Sequence, residues 1–218
     1  MKPARQLLKH CRKMKVLWCA GIGIAALACT SAIAQETVDT SKTVKFGLVR
    51  SPGLSSFPTV APKAHGTVTV RSIGPVEIMK VTVEGLPPKT DFDLFVIQVP
   101  NAPFGLSWYQ GDMQSDDDGD AVQHFRGRFS IETFIVAPGV APAPVVFNGP
   151  FPDAARNPAT GPIQTYHLGL WFNSPADAQN AGCPNAVTPF NGEHNAGIQV
   201  LNTSNFPDNH GPLRDLHP

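Results

Sequence analysis

The chain has 218 residues, of which 42% are hydrophobic, and its 17 basic side chains balance its 17 acidic ones. Residues 1–34 contain six of the basic residues and no acid, so the remaining chain has 11 basic and 17 acidic residues, a net charge of −6. A protein of this sign lacks the electrostatic footprint of nucleic-acid or anionic-lipid binding, and neither partner is predicted.

The N-terminal residues 1–34 have the three parts of a secretory signal peptide. A basic segment is followed by a 13-residue apolar run at 16–28 (VLWCAGIGIAALA) and by Ala-Ile-Ala at 32–34, a small-residue cleavage site. Because a membrane-spanning helix needs about 20 apolar residues, this run is too short to cross a bilayer. The sequence therefore predicts a secreted or periplasmic protein whose mature chain has no transmembrane span and starts with a flexible lead-in at 35–42.

The cysteines offer an alternative for the N-terminus and constrain the fold. Ala-Leu-Ala-Cys at 26–29 resembles a bacterial lipobox, so lipid anchoring through Cys29 is the alternative to free secretion. Only Cys183 lies beyond the signal peptide, which leaves an exported domain without an internal disulfide. The domain must therefore be held together by its apolar core, and Cys183 is expected to be a buried thiol.

Beyond the signal peptide, short apolar segments with period-two alternation predict β-strands. Segment 92–99 (FDLFVIQV) is apolar on both faces, which is typical of a central strand buried between two layers. Residues 137–162 carry seven prolines and are interpreted as a long Pro-rich surface loop, and residues 207–218 as a loose or draped C-terminal tail. The pattern predicts an all-β protein, a single antiparallel β-sandwich domain at 43–206. The other predicted strands are 67–70, 76–83, 121–125, 128–136, 166–172 and 197–201, with a short helical turn at Pro175–Asn180.

Two resemblances accompany this pattern. Segment 81–99 (VTVEGLPPKTDFDLFVIQV) resembles the L-x-P-x-T-x-Y corner of fibronectin type III and other immunoglobulin-like sandwiches, with Phe92 in the position of the tyrosine. The phrases GLPPKTDFDLFVIQ, PFGLSWYQGD, TYHLGLWFN, NGEHNAGIQ and LNTSNFPDNHGPL resemble an uncharacterised group of bacterial secreted proteins. The first resemblance implies an immunoglobulin-like architecture. The second implies export and one compact domain, and it supplies no catalytic residues.

Five aspartates lie close together in SWYQGDMQSDDDGDAVQHFRGRF (107–129), and they admit two interpretations. Asp and Gly accept the positive-φ conformations of tight turns, which favours the tip of a β-hairpin. The alternative is a calcium loop, because a cation would relieve the repulsion among the carboxylates. With Gly119 at the sixth position of an EF-hand loop, however, Gln114 and Phe125 occupy the two end positions and do not fit. The candidate Ca²⁺ ligands are Asp112, Asp116, Asp118 and Asp120.

Histidines offer a second candidate metal site. In TYHLGLWF (165–172), alternation places His167 and Trp171 on the same face of a strand. The metal hypothesis joins His167 with Glu193 and His194, although the chain has no H-x-H, H-E-x-x-H or C-x-x-C spacing. In the alternative interpretation, His167 and Trp171 simply pack under a loop.

The aromatic segment 103–111 (PFGLSWYQG) is a candidate ligand surface. Trp108 and Tyr109 stand beside Gln110, and exposed aromatic rings flanked by hydrogen-bonding groups suit sugars or a protein partner. The candidate ligand-binding set consists of Trp108, Tyr109, Gln110, Trp171 and Asn191. In the alternative, the aromatic rings close one end of the sandwich, since large aromatic side chains are mostly buried.

Taken together, these features predict an exported, non-enzymatic β-sandwich that acts as a binding or structural module of the bacterial cell envelope or medium. No cofactor is predicted, and the expected partner is a carbohydrate or a protein. Two alternatives stay open. One is a small secreted metal-dependent hydrolase that uses His167, Glu193 and His194, and the other is a Ca²⁺-stabilised or sugar-binding module.

Overall fold

The computed structural model describes residues 42–130, 134–136, 162–188 and 195–217, all within the unit Val38–Pro218. These residues form antiparallel β-strands with little helix, so the all-β prediction is confirmed. No helix in the described ranges is long and apolar enough to cross a membrane. The strands are β1 (Thr43–Arg50), β2 (His65–Ile73), β3 (Val76–Glu84), β4 (Asp91–Ile97), β5 (Ser107–Gln114), β6 (Ala121–Gly127), β7 (Phe134–Val136), β8 (Pro162–Gln164), β9 (His167–Phe172) and β10 (Gln199–Asn202). The helices are α1 (Pro175–Asn180) and two 3-10 turns at Pro52–Leu54 and Pro212–Asp215.

Eight strands form one sheet in the order β5-β4-β9-β10-β1-β2-β3-β6, and β7 pairs with β8 in a separate ribbon. The sheet curls until its edge strands, β5 and β6, contact each other along what we call the seam. At the seam the Gln123 amide donates a hydrogen bond to the Asp112 carbonyl oxygen (3.3 Å). The two layers expected of a sandwich are thus the halves of one sheet, joined through β1 and β10, with one apolar core between them.

The first half, β1-β2-β3-β6, is buried on one side only. Burial alternates along β2 and β3, so that Val68, Val70, Met79 and Val81 are fully buried while their neighbours face outward. This period of two is the alternation that predicted strands at 67–70 and 76–83. β2 and β3 form a hairpin through a two-residue turn that begins with Gly74 (φ 64°), a position suited to glycine.

The second half, β5-β4-β9-β10, is covered on both sides of its central strands. All residues from Phe92 to Ile97 in β4 are buried, as are all six residues of β9, so the prediction of a central strand within 92–99 is confirmed. Alternate side chains face the common core, and the others form a second cluster on the outer side. This outer cluster consists of Phe95, Ile97, Trp171 and Ala196, with Phe104 packed against it.

The corner between β3 and β4 is closed by a serine. Phe92, in the position of the corner tyrosine, is fully buried, and its ring centroid lies 5.2 Å from that of Phe172. The Ser115 hydroxyl donates a hydrogen bond to the Pro87 carbonyl oxygen (2.6 Å) and accepts one from the Thr90 N–H (3.0 Å). A serine from the turn after β5 therefore makes the link to the backbone that a phenylalanine cannot make.

Part of the strand expected at 128–136 is described: residues 128–130 are not in a strand, Phe134–Val136 form β7, and residues 131–133 lie outside the described ranges. The backbone N–H groups of Phe129 and Ser130 donate to the Glu77 carboxylate instead of to a neighbouring strand. Glu77 is itself fully buried, and its other oxygen lies 3.9 Å from Arg128 Nε. Buried backbone N–H groups need hydrogen-bond acceptors, and here the Glu77 carboxylate supplies them in place of the carbonyl groups of a neighbouring strand.

Three further segments can be compared with the expectations. Pro162, expected in the Pro-rich loop, is the first residue of β8, a position that proline tolerates; residues 137–161 lie outside the described ranges. The expected tail is packed, because Leu213 and Leu216 are fully buried in the core. The predicted helical turn is confirmed as α1, with Ser174 as its N-cap.

Candidate functional site

The outer side of β4, β5 and β9 brings two carboxylates and an exposed aromatic ring together, and we call this place the Tyr109 surface. The strand register explains it, because Asp93 pairs with Asp112 on β5 and with Trp171 on β9, and Phe95 pairs with Tyr109. Side chains of directly paired residues point to the same side of a sheet and lie about 5 Å apart at Cβ. Aspartates, tyrosine and supporting rings therefore share one surface.

A β-bulge gives the Tyr109 surface its composition. The register of β4 and β5 shifts between Leu94 and Phe95, where Leu94 pairs with Gly111 and Phe95 pairs with Tyr109. Gln110 is the extra residue. In a regular strand, residues three positions apart point to opposite sides, but the bulge places Tyr109 and Asp112 on the same side. Bulges are enriched at sheet edges and next to functional sites, where they change the direction of a side chain.

Tyr109 is the most exposed ring of this surface, with 44% of its area accessible. Its hydroxyl donates a hydrogen bond to Asp112 Oδ1, and its ring meets Phe95 edge to face with centroids 5.8 Å apart. Partial burial, together with the carboxylates of Asp112 and Asp93, raises the pKa of the Tyr109 hydroxyl, so the side chain stays a neutral donor. The ring is thus held rigidly while one face stays open to solvent.

Asp93 is the residue of this surface that the sequence interpretation missed. It lies in the middle of β4, only 1% exposed, directly opposite Asp112. Carboxylates are seldom buried, and like charges on paired positions repel each other, so this arrangement costs stability. A signal was present in the sequence, because FDLF places one acid inside a run that is otherwise apolar on both faces.

The predicted ligand-binding residues divide between two sides of the sheet. Trp108 pairs with Val96 and packs against the common core, and its Nε1 donates to Gln110 Oε1 (3.3 Å). Trp171 lies on the outer side but is fully buried, with the rings of Phe95 and Phe104 5.3 and 5.2 Å away. Tyr109 alone among the described members of the set is exposed on this surface, and Trp171 contacts Phe95, the ring against which Tyr109 packs. Asn191 lies outside the described residues.

Within the acidic segment, residues 115–120 form a turn, whereas Asp112 lies in β5. Asp116 accepts hydrogen bonds from the N–H groups of Asp120 and Asp118, both at 2.9 Å, and these bonds lower its pKa. The turn is not the tip of a paired hairpin, however, because β5 pairs with β4 and β6 with β3. The turn crosses the seam. It joins β5 to β6, which are consecutive in the chain but form the two opposite edges of the sheet, and the curl of the sheet brings these edges into contact without backbone pairing.

Several carboxylates of the acidic segment 112–120 already have partners. Asp117 lies 2.7 Å from Lys89 Nζ, Asp116 binds the backbone, and Asp112 binds Tyr109. An open groove of about 550 Å³ lies beside them. Within the described parts of the chain, no three His, Cys, Asp or Glu side chains are grouped so that they could hold a metal ion. The Ca²⁺ hypothesis for Asp112, Asp116, Asp118 and Asp120 stays a prediction.

His167 is a core histidine. It is fully buried, its Nδ1 lies 2.8 Å from the Thr203 hydroxyl, and its Nε2 lies 3.2 Å from the Asp208 carbonyl oxygen. The carbonyl can only accept, so Nε2 carries the proton and Nδ1 accepts from Thr203. Burial lowers the pKa of His167 to about 4, which keeps the ring neutral. To bind a metal with Glu193 and His194, which lie outside the described residues, it would have to leave these partners.

Cys183 is the single cysteine of residues 35–218. The thiol is free and buried, as expected, and burial raises its pKa above the usual value. A thiol of raised pKa is a poor nucleophile, because the thiolate is the reactive form. Cys183 therefore packs as a small apolar residue near α1.

The chain was compared with protein-family models and with curated proteins. No protein-family model matches the chain, and no curated protein matches it. The chemistry of the Tyr109 surface follows from its own residues. It combines a fixed aromatic ring, hydrogen-bond acceptors of negative charge, and a rigid supporting cluster.

Proposed function

We propose that the chain is an exported, non-enzymatic binding module of the bacterial cell envelope or medium, and that the Tyr109 surface binds a neutral carbohydrate. The observation that carries the proposal is the fixed and half-exposed ring of Tyr109 beside the carboxylate of Asp112. Export rests on the signal-peptide pattern of residues 1–34.

The Tyr109 surface has the two chemical parts that sugar binding uses. An aromatic face packs against the apolar C–H face of a sugar ring, and acceptors beside it bind the hydroxyl groups. Phe95 and Asp112 hold the Tyr109 side chain in place, so little rotamer freedom is lost when a ligand binds. The charges of Asp93 and Asp112 disfavour an acidic ligand here, which makes a neutral sugar the better match.

The state of the buried reactive groups supports a binding function rather than catalysis. His167 uses both ring nitrogens to hold β9 against the segment at 203–208, and the Cys183 thiol is kept protonated by burial. General acid–base and nucleophilic catalysis need such groups within reach of a substrate. Both residues instead hold the domain together.

The binding test uses purified protein and a panel of neutral oligosaccharides, measured by glycan array and then by titration calorimetry. Tyr109→Ala should weaken binding at least about tenfold, roughly 1.4 kcal/mol. Tyr109→Phe, which keeps the ring and loses the bond to Asp112, should weaken it less. Val122→Ala, at an exposed position on the other half of the sheet, is the matched control. Binding that Tyr109→Ala leaves unchanged would refute the assignment of the surface.

Export is tested separately by expression in a bacterial host, cell fractionation and intact mass of the product. Cleavage after residue 34 gives a soluble chain that begins at Gln35, which is the expected result. A membrane-bound product that Cys29→Ser releases would assign lipid anchoring instead. Full-length chain retained in the cytoplasm would contradict both forms of export.

A further inference from the structure

The outward side of the first half of the sheet carries a set of exposed cations that the net charge conceals. We call it the basic face. One cation projects from each strand, and all four are solvent-exposed. They are Lys45 on β1, Arg71 on β2, Lys80 on β3 and Arg126 on β6.

The strand register fixes how these cations are spaced. Lys45 and Lys80 both pair with Thr69, so they lie in one row across the sheet, and His124 continues that row on β6. Arg71 and Arg126 lie in a parallel row, two residues further along the strands. Neighbouring strands are about 4.8 Å apart and two residues span about 6.7 Å, so the backbone steps from Lys45 to Arg71, Lys80 and Arg126 are each about 8 Å. The four cations form a zigzag across the sheet.

This face has almost no negative charge of its own. Among the outward positions of the four strands the single acid is Glu84, at the opposite end of β3, and its carboxylate lies 3.5 Å from His65 Nε2. None of the four cations forms an ion pair with a described residue, whereas Lys89 and Arg128 do. Cations about 8 Å apart lie within one Debye length at 0.1 M salt and repel one another, so an anionic partner would stabilise the arrangement.

We propose that the basic face binds an acidic polysaccharide. A linear polyanion can follow the zigzag, because its charges repeat along a chain and the sheet presents cations along a line. Threonine hydroxyls share this side of the sheet with the cations, with Thr69 between Lys45 and Lys80, and they can bond the hydroxyl groups of a sugar chain. These threonines are Thr43, Thr67, Thr69 and Thr82.

The apolar content of the face favours a polysaccharide over an anionic lipid surface. Its large exposed apolar side chains are Ile73, at a hairpin turn, and Val122, at the edge of the sheet. Binding to a lipid interface draws on a band of Trp, Phe or Leu that enters the acyl region, and this face presents no aromatic ring. A hydroxyl-bearing and cationic surface fits a hydrated polymer.

This inference goes beyond the proposed function and does not depend on it. The Tyr109 surface belongs to the second half of the sheet and is acidic, whereas the basic face belongs to the first half. The net charge of −6 for residues 35–218 is a sum over the whole segment, so it does not reveal that acidic and basic groups lie on different surfaces. Each surface can therefore fail its own test while the other passes.

The test measures binding of the purified protein to immobilised polygalacturonate, with neutral dextran as the reference polymer, at 50 and 200 mM NaCl. Four contacts at about 0.7 released counterions each predict roughly fiftyfold weaker binding at the higher salt. The double variant Lys80→Glu/Arg126→Glu should bind at least about tenfold more weakly and halve the salt slope. Lys63→Glu, a single charge reversal at an exposed loop position, should stay within about twofold of the wild type.

Two readouts keep the result interpretable. Circular dichroism and thermal melting check that the variants fold, and the double variant should retain the neutral-sugar binding of the Tyr109 surface if the wild type has it. Lys45→Ala/Arg71→Ala, a neutral replacement on the other two strands, should also weaken polygalacturonate binding. Equal binding of wild type and both double variants, or no binding to the polyanion, would overturn the proposal. Binding to vesicles with 30% phosphatidylglycerol but not to polygalacturonate would also overturn it and assign a lipid partner.

Discussion

The two halves of the sheet are made of the same kind of strand but have opposite outer sides. On β2 and β3, side chains alternate between a buried apolar row and an exposed polar one. On β4 and β9 both rows are buried, and the outer row consists of Phe95, Ile97 and Trp171 with a buried aspartate and histidine among them. The comparison indicates where function can lie: the first half offers an open charged surface, and the second offers a rigid support for the few groups that reach solvent.

The largest test of this comparison truncates one outward side chain in each half. Phe95→Ala removes a fully buried ring that contacts Trp171 and Tyr109, and it should lower the free energy of unfolding by about 3–5 kcal/mol. Ile73→Ala, on a side chain that is 42% exposed in the first half, should change it by less than about 0.5 kcal/mol. Urea unfolding of both variants gives the difference, and similar values would show that the two outer sides do not differ in burial.

A second test uses pH, because only the second half buries a histidine. The pKa of His167 is about 4 in the folded state and 6.5 when exposed, so the unfolded chain takes up the proton first as the pH falls. This contribution to stability is complete above pH 6.5 and decreases between pH 6.5 and 4, by about 3 kcal/mol in total. His167→Gln cannot titrate, and its unfolding free energy should fall less steeply over that range. Parallel pH profiles for wild type and variant would contradict the assignment of a buried neutral ring.

A third test compares two glycines that share a positive φ but differ in their surroundings. Gly119, in the turn that crosses the seam, has φ 84°, and a Cβ there would clash with the Leu86 carbonyl oxygen. Gly74, in the exposed hairpin turn of the first half, has φ 64° and no heavy atom within 4 Å of such a Cβ. Gly119→Ala should therefore cost about 2–3 kcal/mol and Gly74→Ala about 1 kcal/mol, both read from thermal melts. Equal losses would mean that the turn shifts to relieve the clash.

Each half of the sheet was predictable from the sequence only in part, and β1 in the first half was not among the predicted strands. Alternation at 67–70 and two-sided burial at 92–99 depend on local periodicity, which a single sequence displays. β5 was missed as a strand, because its bulge at Gln110 breaks the alternation and an acidic stretch follows it. The unpaired edges of β5 and β6 depend on how far the sheet curls, which no local pattern encodes.

The candidate sites show the same dependence on register. Asp93 was visible as one acid in a buried run, but its partner Asp112 lies nineteen positions away and meets it only through strand pairing. Lys45 and Arg126 are separated by most of the first half of the sheet, so a count of charges along the chain hid the basic face. His167 was correctly placed beside Trp171, yet its partners Thr203 and Asp208 come from a segment that alternation does not locate.

The seam determines how far the two edge strands of the sheet are open to pairing with another molecule. An edge strand is a template for pairing with another chain, and closed barrels avoid the problem by having no edges. Here each edge of the sheet shields the other, since β5 and β6 lie against each other without a shared ladder. Separation of β5 from β6 would expose two unpaired strand edges on each molecule. Two edges per molecule permit a linear polymer, whereas one edge would permit only a dimer. Disruption of the seam should therefore promote fibre formation through these two edges.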